Sequence, residues 1–364
     1  MDSRILGPKV GQPVPKWDYA HRLSISSWAG PECKDSATTF RCNSTFLETT
    51  EQCHMIRQWY AGGVLTALLM AAGLTWATLL MLKMCAEKGW PLGGMIVLSI
   101  PLLGVLGFLA FVFVFGRKEF FGWTHYPIRF NRRALKIYAL VRPSTRNAAG
   151  KNASTVEEID WSENSFFCVH RASDDGFHYW IQYYKIDSKG LIEKTVTIGR
   201  DWEGEEGLQE LLAQWNYWCW FMKFGPDELP KPCLYLTEKE TIMESFLYCV
   251  YEIDFNASPA FRIAGMPVFL LLAAYRVIAL WTCSAPRWPS VIADACKIEP
   301  NDPYNEPRGP TPVGWYDTST AISKGKYPVV KPVKIFQWQG ECDAKRNAQL
   351  WARDVYEPKY PVGN

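Results

Sequence analysis

Residues 60–82 read YAGGVLTALLMAAGLTWATLLML and residues 91–115 read PLGGMIVLSIPLLGVLGFLAFVFVF, two uncharged apolar stretches separated by only eight residues. As a helix that rises about 1.5 Å per residue, each stretch is long enough to cross about 30 Å of hydrocarbon. The sequence therefore predicts a transmembrane helical hairpin over residues 59–116. Because the connecting turn is too short to hold a domain, we expect both long flanks to lie on the same side of the membrane.

Lysine and arginine residues near the two stretches indicate which side that is. Residues 117–146 contain eight positive side chains and a single acidic one, whereas the turn contains two lysines and one glutamate. Positive residues concentrate on the cytoplasmic side of membrane proteins, so we expect the turn outside and both flanks, including residues 1–58, in the cytoplasm. Basic residues near the surface also attract anionic lipid headgroups, and five are candidates for that contact: Arg117, Lys118, Arg129, Arg132 and Arg133.

The composition excludes some classes of function. The net charge of the 364 residues is only +2, which counts against a nucleic-acid-binding protein, because such proteins carry a basic face or stripe. The eleven cysteines are odd in number and include no C-x-x-C pair, so we expect reduced, mostly buried thiols. Cys33, Cys42, Cys53 and His54 could suit zinc, but their spacing lacks the close ligand pairs of most zinc sites. We therefore predict no metal.

After the hairpin the apolar pattern changes to that of an antiparallel β meander. Alternating side chains over residues 128–141 predict two strands around a tight turn at residues 131–133. Further strands are predicted at residues 158–171, 178–187 and 191–199, with turn residues between the last two.

A helix predicted over residues 201–224 closes this meander. One apolar stripe of the helix can cover a sheet, but its other side is aromatic too, and a helix that is apolar all round is buried on two sides. We expect the second side to meet the C-terminal region, a partner or the bilayer interface, where tryptophan is enriched. Because aromatic side chains dominate interaction hot spots, Trp218, Trp220 and Phe221 are candidates for partner binding, with burial inside the protein as the alternative.

A third apolar stretch, residues 266–285, is nearly long enough to span a membrane, but Arg276 lies at its middle. A charge there costs about 2.5–3.5 kcal/mol on insertion scales. In one interpretation the stretch crosses with Arg276 facing a polar partner, which places the chain from Arg287 onward outside. In the other, which we favour, it lies in the interface or packs on the cytoplasmic module. We assign residues 226–296 to a helical region and residues 297–364 to a Pro- and Trp-rich tail.

Catalysis has little support in the sequence. No phosphate loop, dinucleotide fingerprint, Gly-x-Ser-x-Gly or His-Glu-x-x-His motif occurs, and the five histidines are scattered along the chain. His170 and His178 could approach each other across a strand pair, but ordinary polar residues of a strand explain them better. We predict no enzyme activity, no catalytic residue and no cofactor.

The order of elements, a transmembrane hairpin followed by a meander and one closing helix over residues 120–225, resembles the pleckstrin-homology-like (PH-like) domains that bacteria attach to membrane hairpins. The resemblance implies an α+β membrane protein. In it, an antiparallel meander or barrel is closed by an amphipathic helix and followed by a helical and irregular C-terminal region.

Several motifs between about Phe120 and Tyr304 look like an uncharacterised family of proteobacterial membrane proteins. Members of that family are often encoded beside type VI secretion effectors, so the resemblance implies an immunity or accessory role. No catalytic or ligand residue of the family is known that could be carried over. The motifs are YPIRFNRR at 126–133, WEG at 202–204, QWNYWCWFM at 214–222, PRWP at 286–289 and CKIEPNDPY at 296–304.

We therefore expect a non-enzymatic binding protein of the bacterial inner (cytoplasmic) membrane, whose partners are the lipid bilayer and, on this resemblance, a cognate secreted toxin. The anchor would raise the effective concentration of the binding surface. Two other functions stay open. One is a membrane-bound PH-like scaffold or sensor unrelated to toxins, and the other is a toxic effector that inserts into target membranes.

Overall fold

The structure, a computed structural model, describes most of the chain between residues 9 and 305. The gaps within that range are 31, 52–53, 55, 88, 90–91, 142–154, 174–175, 228, 231, 233–234, 238–239 and 253–257, and beyond it only Val333 and Lys334 are described. The chain divides into two compact units. The sheet unit comprises the described residues of Met1–His54, His125–Glu238 and Pro286–Asn364, and the helical unit those of Met55–Thr124 and Lys239–Ala285.

The strands and helices alternate in blocks along the chain. The strands are β1 (Arg22–Leu23), β2 (Glu32–Cys33), β3 (Thr39–Cys42), β4 (Phe46–Thr50), β5 (Pro127–Asn131), β6 (Lys136–Val141), β7 (Thr155–Asp160), β8 (Phe166–Ser173), β9 (Phe177–Ile186), β10 (Ile192–Glu203) and β11 (Val333–Lys334). The helices are α1 (Lys16–Ala20), α2 (Arg57–Glu87), α3 (Leu92–Phe111), α4 (Arg117–Phe120), α5 (Gly204–Phe224), α6 (Ile242–Glu252), α7 (Pro259–Ala264), α8 (Met266–Thr282) and α9 (Ser290–Ala295), and a π-helical turn, Val112–Gly116, joins α3 to α4.

The sheet unit contains two larger antiparallel sheets. Five strands pair in the order β3-β4-β5-β6-β7, and four pair in the order β1-β8-β9-β10. Strands β4 and β5 are neighbours from Phe46 opposite Asn131 to Thr50 opposite Pro127, although α2, α3 and α4 lie between them in the sequence. Residues 1–58, which the sequence analysis treated as a separate segment, thus supply two strands to the sheet that continues after the helices.

The strands after the helices follow the predicted pattern with one clear error. The mixed α+β class and the antiparallel pairing are confirmed. The single strand predicted at residues 158–171 is wrong, because the chain turns between β7 and β8, where the Ser165 N–H donates to the Ser162 carbonyl at 3.0 Å. Since β7 and β8 then join different sheets, the strands in the described part of the chain form open sheets and no closed barrel.

Helix α5 forms the centre of the sheet unit. Every residue from Leu211 to Met222 is buried. The Trp218 ring stacks on Phe130 of the first sheet with the centroids 4.8 Å apart, and the Trp215 ring lies 5.3 Å from Phe167 of the second sheet. The helix therefore joins both sheets into one apolar core.

Another side of α5 is covered by residues near the N-terminus. The Trp28 ring lies 6.0 Å from the Trp220 ring. The Asn216 side chain accepts a hydrogen bond from the Ala29 N–H at 2.9 Å and donates to the carbonyls of Gly30 and Glu32 at 3.1 and 2.7 Å. The N-terminal segment thus covers the side on which we expected the C-terminal region, a partner or the bilayer interface.

The helical unit is built on an antiparallel pair, α2 and α3. The pair packs closely where α3 has glycine: a Cβ on Gly104 would lie only 2.8 Å from the Leu74 side chain. The segments Arg57–Glu87 and Ile96–Gly116 are long and apolar enough to cross a membrane, whereas α8 has only 17 residues. Helix α8 packs against the start of α2, where a Cβ on Gly62 would lie 2.7 Å from the Tyr275 ring.

Gly199 and Gly11 provide a matched test of the packing around α5. Both have positive φ, +77° and +85°, but a Cβ on Gly199 would lie 2.7 Å from the Trp218 ring and one on Gly11 would contact nothing within 4 Å. We expect both alanine variants to lose about 1 kcal/mol of folding free energy through backbone strain, and Gly199→Ala to lose about 1–3 kcal/mol more through overpacking. Thermal unfolding of the purified chain measures the difference, and equal losses would contradict the tight contact.

Candidate functional site

The outward faces of α2 and α3 are apolar and exposed. In the most apolar 18 residues of the second candidate segment, Ile96–Gly116, none is buried. Leu103 and Phe113 are 66% and 72% exposed, and Leu69 and Trp76 of α2 are similar. Apolar surface in contact with water is unfavourable by about 25 cal/mol per Å², and large exposed patches of this kind mark surfaces that contact membranes or partner proteins.

A groove of about 690 Å³ lies between α2 and α3 on this surface. Its lining contains no charged side chain, and the only hydroxyl belongs to Thr66. The groove could therefore hold an apolar chain but offers nothing to orient a charged ligand. The other lining residues include Gly63, Ala67, Met70, Gly104, Gly107 and Phe108.

Arg57 fixes the start of α2 to the end of the helical pair. Its guanidinium is 2% exposed and donates hydrogen bonds to the carbonyls of Glu119, Trp123 and Thr124 at 2.9, 2.7 and 3.0 Å. A fourth contact, 3.2 Å long, joins it to the Cys283 sulfur just beyond α8. A buried guanidinium thus donates to three carbonyls at and just after the end of α4.

Arg276 fixes α8 in the same region. Its side chain is fully buried, and Nε and Nη2 donate to the two carboxylate oxygens of Glu240 at 2.7 and 2.5 Å. Nη1 donates to the Gln58 side chain at 2.9 Å, and the guanidinium lies 4.0 Å from the Tyr248 ring centroid. The polar partner of Arg276 is therefore Glu240, assisted by Gln58 of α2.

After α8 the chain rejoins the sheet unit. Ile292 and Cys296 pack with Phe46 and Tyr138, and the Asn131 amide donates to the Ala295 carbonyl at 2.8 Å. The residues that follow α8 thus pack against the sheet that contains β4, β5 and β6. The interpretation in which the chain from Arg287 onward is carried to the opposite side of a membrane does not agree with this packing.

The three residues predicted to bind a partner are in the core. Trp218, Trp220 and Phe221 are 0%, 4% and 0% exposed. Because sheet residues cover one side of α5 and N-terminal residues cover another, none of them forms a contact surface in this structure. The alternative named from the sequence, burial inside the protein, is the arrangement observed.

Arg129, one of the predicted lipid-contacting residues, is held inside the sheet unit. Its guanidinium pairs with the buried Glu48 carboxylate, and its side chain is only 11% exposed. It lies 4.5 Å from the ring centroids of both Phe46 and Trp288. These contacts satisfy the charge of Arg129 and leave little of it for a lipid headgroup.

The other four basic candidates are distributed over different elements. Arg117 begins α4 and is exposed, while the side chain of Lys118 lies outside the described part of the structure. Arg132 is partly buried, and Arg133 is exposed and pairs with Glu299. Arg117 and Arg133 are therefore the best-exposed described members of the predicted set.

A buried polar group that sequence reasoning missed lies between α1 and the second sheet. The Asp18 carboxylate accepts a hydrogen bond from the Tyr184 hydroxyl at 2.5 Å, and the same oxygen lies 2.7 Å from His170 Nδ1. An Asp–His pair can orient an imidazole for catalysis. However, the ring of His170 contacts Trp180, and no nucleophile in the described part of the chain is bonded to it. On β9 the residue opposite His170 is Trp180. His178 precedes Trp180 by two residues and is opposite Ala172, so it does not pair with His170.

The cysteines behave as buried thiols. All eight cysteines in the described residues are free, and seven of them are buried. Burial raises the pKa of Cys33, Cys168 and Cys219, which disfavours the thiolate needed by a nucleophile or a metal ligand. Among the residues that the structure describes, no group of three or more His, Cys, Asp or Glu side chains is placed to hold a metal ion. Cys53, part of the group weighed for zinc, lies outside them.

Residues 105–300, more than half of the chain, match a family of unknown function, DUF6708. The chain belongs to this family. No curated protein and no solved structure matches it. The matched region contains α5, Glu240 and Arg276 but neither α2 nor the N-terminal strands. Membership in the family brings no assigned function and shows no link to secretion systems or to PH-like domains.

Removing Arg276 tests whether its ion pair holds α8. We expect Arg276→Leu to cost about 3–5 kcal/mol of folding free energy, because it leaves the Glu240 carboxylate, 4% exposed, without a cation. Lys185→Leu is the control, since the Lys185–Glu193 pair is more than half exposed and is worth less than about 1 kcal/mol. The double variant Arg276→Leu, Glu240→Leu should regain part of the loss. Thermal unfolding in detergent compares the four chains, and equal losses for Arg276→Leu and Lys185→Leu would contradict the role of the pair.

Asp35 gives the sheet unit a measurable pH dependence. Burial raises the pKa of Asp35 from 3.8 to about 6, although hydrogen bonds from Thr39 and Ala37 oppose the shift. The folded chain therefore binds this proton more tightly than the unfolded chain does, and stability falls as the pH rises from about 4 to about 6. Asp35→Asn should remove this part of the slope in thermal unfolding.

Asp302 serves as the control, because its pKa is shifted in the opposite direction to that of Asp35. Burial opposes its ionisation, but hydrogen bonds from Ser44 and the Tyr304 N–H outweigh it and lower the pKa of Asp302 below 3.8. The stabilisation is present above that pH and is lost as the pH falls further. The cost of Asp302→Asn should therefore shrink in acid, and matching pH profiles for the two variants would contradict both assignments.

Proposed function

We propose that the protein is a non-enzymatic binding protein anchored in the bacterial inner membrane by α2 and α3, with the sheet unit in the cytoplasm. The observation that carries this proposal is the exposed apolar face of the two helices, which hydrocarbon would cover favourably. The pairing of β4 with β5 supports it, because both ends of the helical segment return to one sheet.

The distribution of charge supports the cytoplasmic position of the sheet unit. The residues from 117 to 146 are rich in lysine and arginine, and Arg117, which directly follows the second apolar segment, is exposed. Positive residues of this kind concentrate on the cytoplasmic side. Arg133 adds an exposed charge in the turn after β5.

We further propose that the partner is a secreted toxin of the type VI pathway, for which the protein acts as an immunity or accessory partner. The support is the resemblance of its motifs to proteins encoded beside such effectors. A membrane anchor would hold the binding surface where the toxin enters or acts and raise its effective concentration. Since Trp218, Trp220 and Phe221 are buried, the contact surface belongs to exposed residues of the sheet unit.

The anchor is tested by membrane extraction. We expect the full chain to stay in the membrane fraction after washing with salt and alkaline carbonate, because two spans of about 20 apolar residues insert stably. Ile100→Lys with Leu103→Lys should make the chain easier to extract, since each charge costs about 2.5–3.5 kcal/mol at the centre of a span and only the apolar stretch of α2 then remains uncharged. Phe177→Lys, at an exposed position of β9, is the matched control and should change nothing.

Reporter fusions test the orientation separately. Fusions after Lys118 and after Asn364 should both give a cytoplasmic signal. Release of the unchanged chain by salt would contradict the anchor, and a periplasmic signal after Lys118 would contradict the orientation alone.

Co-expression tests the partner. An effector encoded beside this gene should arrest growth, and the full chain should restore growth and be recovered with the effector in a pull-down. The variant Ile100→Lys, Leu103→Lys should still bind but protect less, because its anchor is weakened. If the chain neither restores growth nor forms a complex with the effector, the immunity proposal is wrong. Growth arrest by the chain alone, worse after export to the periplasm, would favour the effector alternative, and a harmless chain without a toxin partner would favour the scaffold.

A further inference from the structure

Helix α8 has its polarity reversed relative to a helix on the surface of a water-soluble protein. Its one charged residue, Arg276, lies on the buried face, and the exposed face is apolar except for Thr282 at its end, whose hydroxyl bonds to the Ala279 carbonyl. Surface helices in water normally show the opposite arrangement, with the apolar stripe inside and the charges outside. The exposed face includes Val268, Leu270, Leu271, Ile278 and Trp281, each at least 42% exposed.

The contacts of α8 with α2 show which part of α2 it lies beside. The Cys283 sulfur touches Arg57 at the very start of α2, Ala279 packs with Ala61, and the Tyr275 ring lies against Gly62. From its C-terminal end toward its N-terminal end, α8 therefore runs from the polar start of α2 into the apolar stretch that begins at residue 60. Its exposed face continues the apolar face of α2.

Exposed aromatic residues lie where the start of α2 meets the end of α8. Trp59 is 50% exposed, Phe121 is 73% exposed and Trp281 is 72% exposed. All three are within four residues of Arg57, Glu119 or Cys283, which contact one another. Aromatic side chains concentrate at the interface between water and hydrocarbon, so this level is a suitable membrane boundary.

The segment that contains α8 leaves the sheet unit and returns to it. The sheet unit ends at Glu238 and resumes at Pro286. Within the segment, Glu240, just before α6, and Tyr248 of α6 both contact Arg276, so α6 packs against α8. A helix of 17 residues is about 25 Å long, short of the 30 Å of hydrocarbon. The geometry fits a hairpin that enters one leaflet and leaves on the same side.

We infer that α6 and α8 form a re-entrant helical hairpin and that lipid acyl chains of the cytoplasmic leaflet cover the exposed face of α8. This inference rests on the proposed membrane anchor. The Arg276–Glu240 pair allows the arrangement, because it turns the one charge of α8 toward other polar groups of the protein and away from lipid.

Photo-crosslinking to lipid tests the inference. The full chain is purified with p-benzoylphenylalanine at one exposed position at a time and reconstituted in phosphatidylethanolamine–phosphatidylglycerol vesicles that contain an alkyne-tagged phospholipid. Leu271 and Ile278 are the test positions, Leu103 of α3 is the control for the anchor, and Phe177 of β9 is the control for a water-facing apolar residue. We expect lipid adducts at Leu271, Ile278 and Leu103 in several-fold higher yield than at Phe177.

The controls separate this inference from the anchor. Labelling at Leu103 with only background at Leu271 and Ile278 would overturn the re-entrant hairpin and leave the anchor intact. Background labelling at all four positions would overturn the anchor, and the hairpin with it. Adducts of Leu271 and Ile278 with another protein in intact cells, in place of lipid, would also overturn the inference.

Discussion

The pairing of β4 with β5 is the constraint on which the rest of the structure depends. Thr50 lies opposite Pro127, and neighbouring antiparallel strands are about 4.8 Å apart. The chain that leaves at residue 51 must therefore return at residue 126 to nearly the same place. A single helix of the length of α2 would carry it about 46 Å away. The strand pair thus requires an antiparallel partner for α2, which α3 supplies, and the hairpin does not depend on its short turn alone.

Two buried arginines fix the helices at the open end of this hairpin. Arg57 bonds to carbonyls at and just after the end of α4, and Arg276 bonds to Glu240 and Gln58. Buried ion pairs add little net stability compared with apolar packing, but breaking one is costly. Their effect is therefore on specificity: α8 can place its charge beside Glu240 and Gln58 in one rotation only, and that rotation turns its apolar face outward.

The sequence allowed prediction of whatever depends on local periodicity. The two apolar helices, most strands after residue 127 and the helix after residue 204 were visible as patterns of 3.6 or 2 residues, but the turn between β7 and β8 was not. The N-terminal strands were not, because β1 to β4 contain only two to five residues each, and β1, β2 and β4 pair with strands more than 75 positions away. Non-local packing also buries Trp218 and Trp220. The sequence could not show this, because an aromatic helix face has the same pattern whether a partner or the N-terminal segment covers it. The need of Arg276 for a polar partner could be foreseen, but Glu240 and Gln58 are 36 and 218 residues away.

The region shared with the family is smaller than the folded unit. Residues 105–300 include β5 but not β4, and α5 but not Trp28 and Ala29, which cover the side that carries Trp220 and Asn216. A fragment limited to that region would expose the edge of β5 and leave the Asn216 amide without its backbone partners, both unfavourable. It would also lack α2 and the part of α3 before residue 105, so the antiparallel helical pair that returns the chain to the sheet could not form. The residues before position 105 are therefore part of the same physical structure, and any activity of the matched region depends on them.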